Sequence, residues 1–272
     1  MSISAKLSNI KNILQYNRIL SFIILGIGLC SYNTLGTHKQ KIKTVVIDAG
    51  HGGHDHGCMY GGSSEKKVTL EVALKVGKQI ELLMPEITII YTRTQDSFVE
   101  LWERAGIANR NNADLFISIH CNANKKTEVF GTETFSMGLH KSEGNLAVAK
   151  RENDVILLEK DIEERYEGFD PNSPEANIYF SFMQSAYIDQ SLTLASLVET
   201  NFRAIKRTSR GVKQAGLMVL WRSKMPSILI ETGFLSNKTE RVYLTSEEGQ
   251  SELALAIAKS VDDYKKQVEK TK

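Results

Sequence analysis

Five short runs rich in β-branched and aromatic residues, with helix-spaced apolar segments among them, constrain this chain most. The runs are "KTVVIDA" (43–49), "ITIIYT" (87–92), "DLFISIH" (114–120), "EVFGTETFSM" (128–137) and "PSILIETGF" (226–234). Each has strand length and strand composition. From Ser64 onward, Val68, Val72, Ala73, Val76, Ile80 and Leu83 recur at helical spacing until Pro85 ends the pattern. "SFVE" (97–100) reads as a capping box, with Ser97 as N-cap and Glu100 three residues on. It would open a helix carrying Trp102, Ala105 and Ala108. "ELALAIAKSVDDY" (252–264) reads as a closing helix. Strands separated by helices predict an α/β domain, a single mixed sheet flanked by helices on both faces.

Residues 141–190 break the alternation. They are rich in charge ("REND", "EKDIEERYEG", "DPNSPEAN") and too long for an ordinary connection. Ser173-Pro174-Glu175 is a good helix start, from which a long helix would run through Ile178, Phe182, Ala186, Ala195, Val198, Phe202 and Ile205. The region is expected to be a helical insertion within the domain.

The first 36 residues hold Lys6, Lys11 and Arg18 and no acid, followed by the apolar stretch "ILSFIILGIGLC". An apolar run of about 10–14 residues suits a signal peptide better than a membrane span. The expectation is an N-terminal leader over 1–36, a domain over 37–272, and export to the periplasm or cell envelope. The competing readings are an uncleaved anchor, or a lipoprotein at Cys30, for which Leu29 is a poor preceding residue. Without the leader, 31 basic residues face 32 acidic ones. That balance gives no electrostatic reason to expect nucleic acid. Cys58 and Cys121 then remain, too few for a disulfide framework, and whether they pair is left open.

The chemistry is located by position. His51 follows the first strand, His120 ends the third, and Glu231 ends the late strand. Ligands of open α/β sheets bind beyond the carboxyl ends of strands. These three side chains should therefore share one cleft, with Glu65 near enough along the chain to join them. Two imidazoles and a carboxylate suit zinc with one position open. A second carboxylate would then move the proton of a hydrolysis. Glycines at 50, 52 and 53 would let backbone approach a bound ion. His54 and His56 read as solvated loop residues, and Cys121 should point to the face opposite His120. Arg93 and Arg104 read as structural ion pairs, and Asp48 and Asp55 as groups that order the loop or a ligand histidine. Trp221 fits either the core or a sugar platform.

Four ordered blocks, "IDAGHGGHDHG", "EKKVTLEVA", "ADLFISIHCNA" and "ILIETGFLSN", resemble the zinc-dependent N-acetylmuramoyl-L-alanine amidases of bacterial cell walls. The likeness covers about 40–140 and 190–265. It implies His51, Glu65 and His120 as Zn2+ ligands and Glu231 as the catalytic carboxylate. The reaction implied is hydrolysis of the amide between the lactyl group of N-acetylmuramic acid and L-alanine of the peptidoglycan stem. The family usually has Pro where His56 stands and Ala where Cys121 stands. Cell-separation members similarly carry a long segment here whose helix covers the zinc cleft until an activator removes it. By that likeness, residues 150–170 would cover the site, with Glu159, Glu163 or Glu164 at the open zinc position. The implied partners are peptidoglycan and a protein activator, with no stable membrane span in the mature chain and a monomeric state. Two other readings stand beside this one, an exported zinc peptidase and a non-catalytic peptidoglycan-binding protein.

Overall fold

A computed structural model describes residues 41–139, 142–166 and 187–270. The expected leader, and the helix start at Ser173, lie outside the described residues. Six strands form one mixed sheet: β1 (Thr44–Ala49), β4 (Thr88–Tyr91), β5 (Leu115–Asn122), β6 (Thr132–Met137), β7 (Ser209–Ala215) and β8 (Ser227–Phe234), in the order β4-β1-β5-β8-β6-β7. β4, β1, β5 and β8 run parallel, β6 is antiparallel to β8, and β7 is parallel to β6. A two-stranded hairpin, β2 (Met59–Tyr60) and β3 (Ser63–Ser64), leads into α1 (Glu65–Leu83). The remaining helices are α2 (Leu101–Arg110), α3 (Glu143–Asn153), α4 (Ile162–Arg165), α5 (Ile188–Ala204), α6 (Lys238–Leu244) and α7 (Glu247–Lys270). A 3-10 turn (Asp154–Leu158) joins α3 toward α4. No helix among the described residues is long and apolar enough to cross a membrane.

Helices cover both faces, as the alternation predicts. On one face Val45, Ile47, Ile117, Ile119, Ile228 and Ile230 pack against α1, α5 and α7. On the other, Val46, Phe116, Phe135 and Leu229 pack against residues of α2 and α3. Side chains alternate across a strand. Asp48, Ser118, His120, Glu133 and Glu231 therefore share the second face, near the carboxyl ends of the parallel strands.

Two expectations change. The helix near Ser97 starts at Leu101, with Glu100 as N-cap, and no side chain of its own caps it. Its Leu101 N–H donates instead to Glu159 Oε1 at 2.6 Å. A distant carboxylate has replaced the local box. The fourth strand also starts later than the run suggested, at Thr132.

Candidate metal centre

His51 leaves β1 with φ of 61°, a conformation that costs a non-glycine residue energy. Two buried guanidinium groups hold it there. Arg104 donates to Ala49 O, His51 O and the Asp48 carboxylate, and Arg93 donates to Ala49 O and Gly50 O. Arg104 is an ion-pair residue, as expected, and both arginines work mainly by gripping the loop backbone. Asp48 also accepts from Thr92 and Ser118 at 2.6 Å each. Burial pushes the Asp48 carboxyl up, but Arg104 and these hydroxyls bring it below its ordinary range. Asp55 Oδ2 lies 2.7 Å from His51 Nδ1, which fixes the ring and turns Nε2 inward.

His120 lies on β5, directly in register with Glu231 on β8. Its ring occupies the space a side chain at residue 50 would need. A Cβ there would come within 2.5 Å of His120 Cε1 and Nε2. Gly50 is thus required by the second histidine rather than by close approach of backbone to an ion. Gly57, at φ of 61°, answers the same need, since a Cβ would meet Glu65 Oε2 and His51 Cδ2 at 2.7 Å.

Glu65 opens α1, where the helix dipole favours a carboxylate. It is fully buried, and the N–H groups of Cys58 and Cys121 donate to its two oxygens at 2.9 Å each. Burial opposes its ionisation, yet the two imidazoles hold its pKa well below the usual range.

These groups converge with one more. Glu152, on α3, completes a set with His51, Glu65 and His120 whose ligand atoms all lie within 4.8 Å of one another. His51 Nε2 is 3.1 Å from Glu65 Oε1 and 3.5 Å from Glu152 Oε2. His120 Nδ1 is 3.2 Å and 2.9 Å from the same two atoms. Ligand atoms about 2.0–2.1 Å from a tetrahedral zinc stand about 3.3 Å apart, so these separations fit a shared ion. His51 Nε2 and Glu152 Oε2 are buried and, despite these short separations, make no well-directed hydrogen bond, an arrangement a cation would satisfy.

Glu231 lies at the edge of this set, wholly buried. Its Oε1 accepts from Arg151 Nη2 at 3.0 Å, and its Oε2 has no hydrogen-bond partner. Burial raises its pKa to about 8 against the pull of Arg151, with Glu152 and Glu65 adding to the rise. A carboxyl tuned near neutrality can both take and give a proton.

The other candidates fall where their chemistry allows. His54 is exposed and packs against Phe98 with the two rings tilted, and His56 is exposed. Neither belongs to the cluster. Cys121 packs in the opposite core, and both it and Cys58 are free thiols. Trp221 is core, stacked on Tyr166. Of the acids expected over the site, Glu163 and Glu164 are exposed, while Glu159 caps α2 and accepts from Tyr166. Glu152 stands there instead. Its signal was present in the sequence. An acid sits at a core position of the helical stripe Val148, Ala149, Glu152, Val155, Ile156, where only a partnered charge is tolerated.

The family model described as N-acetylmuramoyl-L-alanine amidase (Amidase_3) matches residues 45–263. The chain belongs to that family. The amidase AmiA of Escherichia coli K12 is 32% identical over 241 residues, covering 84% of this chain and 80% of AmiA. Among solved structures, an N-acetylmuramoyl-L-alanine amidase from Clostridium difficile 630 aligns with a TM-score of 0.61 at 28% identity, covering 83% of this chain and 97% of that one. The CwlD amidase of Clostridioides difficile, in complex with the GerS lipoprotein, aligns with a TM-score of 0.60 at 26% identity, covering 82% and 98%. This family member thus brings together four groups that could hold a metal ion, with the buried Glu231 carboxylate beside them, near the carboxyl ends of the parallel strands.

Proposed function

We propose that this amidase is a zinc enzyme of the cell envelope in which His51, Glu65 and His120 hold the ion and Glu231 transfers the proton. The amide cut joins the lactyl group of N-acetylmuramic acid to L-alanine of the peptidoglycan stem. The observation that carries the reading is the buried, unpartnered His51 Nε2 beside Glu65 and His120, with Glu231 in register with His120. A bound zinc would supply Lewis acidity to the lactyl carbonyl and to an attacking water. Asp55 keeps His51 in the tautomer that presents Nε2. Glu231 accepts the proton of the water and returns it to the alanine nitrogen as that bond breaks. The apolar leader over 1–36 is the reason to place the enzyme outside the cytoplasm.

The resting chain is held closed by α3. Glu152 takes the position that substrate or water would use, and Arg151 pairs with Glu231 at 3.0 Å. Opening requires α3 to leave, which gives a protein activator something to do. The complex of CwlD with a lipoprotein gives a precedent for a protein partner on this fold.

The test is digestion of purified peptidoglycan by the zinc-loaded chain, its Glu152→Ala variant and its Glu231→Ala variant, read by mass spectrometry. Stem peptides with a free L-alanine amine are expected from Glu152→Ala, few from the unaltered chain and none from Glu231→Ala. Equal release by all three would defeat both the proton-transfer role and the closed state.

A further inference from the structure

The sheet order lays the site out in a line. His51 stands at β1, His120 at β5, Glu231 at β8, Glu133 at β6, and Arg210 and Lys213 at β7. Glu133 and Glu231 are directly opposite across the antiparallel β6–β8 pair, so their side chains share a face. Both β7 cations reach Glu133 Oε1, Arg210 Nε at 2.5 Å and Lys213 Nζ at 2.6 Å. Residues three apart on a regular strand would point to opposite faces. A bulge removes that conflict. Thr132 pairs with Ser209 but Thr134 pairs with Val212, one extra residue on β7, and Gly211 takes φ of 88°. Bulges beside active sites re-aim side chains in this way.

Glu133 is buried, and its other oxygen already accepts from Asn122 at 3.1 Å. One cation would neutralise it. The second leaves a local excess of one positive charge, with Arg210 39% and Lys213 23% exposed. That excess lies on a definite side of the cleft. The scissile carbonyl belongs at the histidines and the leaving nitrogen at Glu231, so the stem peptide extends toward β6 and β7. Two strand spacings are about 10 Å. An extended peptide covers about 3.4 Å per residue, which brings its second or third residue over the cation pair.

We propose that Arg210 and Lys213 form a subsite for a carboxylate carried by the second or third residue of the stem peptide. This rests on the amidase reading with Glu231 at the leaving nitrogen. Glu133 holds the two cations side by side, and the bulge at Gly211 sets their spacing.

The experiment measures binding of two synthetic stem tripeptides to the full chain carrying Glu152→Ala, by calorimetry without added zinc. One peptide has free carboxylates at its second and third residues, and the other has carboxamides there. The carboxylate peptide should bind about tenfold to a hundredfold more tightly, as expected for one or two charge-assisted hydrogen bonds. Lys213→Gln, which keeps a donor for Glu133, and Arg210→Met should each erase most of that preference, while carboxamide binding stays constant. Lys213→Arg should retain it. Equal binding of both peptides, a preference that survives both substitutions, or equal weakening of both peptides would overturn the subsite. Failure of the amidase reading shows separately, as absence of a free L-alanine amine after peptidoglycan digestion.

Discussion

Asp55 Oδ2 stands 2.7 Å from His51 Nδ1, so a carboxylate outside the His51, Glu65, His120 and Glu152 cluster decides which ring nitrogen faces the candidate metal site. The same carboxylate accepts from the Gly57 N–H at 3.0 Å, which ties the ring to the turn beside Glu65. Asp55→Ala should therefore weaken zinc binding by about 10- to 100-fold, the usual cost of losing such a partner. Competition with a chromophoric chelator measures it. An unchanged affinity would mean that packing alone orients His51.

Metal uptake should release protons. In the metal-free chain, burial works against charged imidazoles, but Glu65 and Asp55 raise His51 to about 9, and Glu152 and Glu65 raise His120 well above its ordinary value. Both rings therefore favour the protonated form in the metal-free chain, and a metal ion must compete with those protons. Apparent affinity should climb as pH rises toward about 9, with one to two protons released per ion, read by calorimetry in buffers of differing ionisation enthalpy. The stability sign follows. Raised imidazole values favour the metal-free fold fully below the unfolded value of about 6.5. The His51 part of that contribution disappears as pH rises through about 9. Over that window the melting temperature of chelator-treated protein should fall more than that of zinc-loaded protein.

Arg104 and Asp48 make a buried pair at 2.8 Å beneath the His51 loop. Removing one partner of such a pair costs about 3–5 kcal/mol, because the other charge is stranded. Arg104→Met should show that loss in denaturant unfolding, together with weaker zinc binding, since the guanidinium also holds His51 O. Asp48 has a depressed pKa, so its contribution is present above the unfolded carboxyl value and lost as pH falls through the lower folded one. Asp48→Asn should accordingly flatten the acid limb of the stability curve below about pH 4.

Much of this site was legible because strand periodicity is short-range. Val45–Ile47 and Leu115–Ile119 announce strands, and a polar residue at each carboxyl end then has one place to go. His51, Glu65, His120 and Glu231 meet as that argument requires. Glu152 was harder to see. Its helix lies in a segment of mixed charge, and a charged run on a helix reads as solvated face unless the apolar stripe around it is followed residue by residue. β7 was missed for a related reason. "SRGVKQA" is an edge strand with a bulge and little apolar alternation. The loop arginines were legible in kind, as structural residues, while their targets are backbone carbonyls that no sequence pattern names.

The capping of α2 by Glu159 makes a last prediction, about the cover rather than the centre. Glu159 accepts from Leu101 N and from Tyr166 Oη at 2.6 Å each, and Tyr166 stacks on Trp221. The segment that follows Glu152 is thereby fastened to the helix beside the cleft. Glu159→Ala removes an N-terminal cap, worth about 1–2 kcal/mol, and leaves the Tyr166 hydroxyl without this acceptor. Glu152 itself would be untouched, and so would the residues proposed to hold the ion. If the fastening keeps α3 seated, Glu159→Ala should lose zinc to a chelator faster than the unaltered chain and should release more free L-alanine amine from peptidoglycan. A variant that only melted earlier, with zinc loss and peptide release unchanged at a temperature where it is fully folded, would assign Glu159 to the stability of α2 alone.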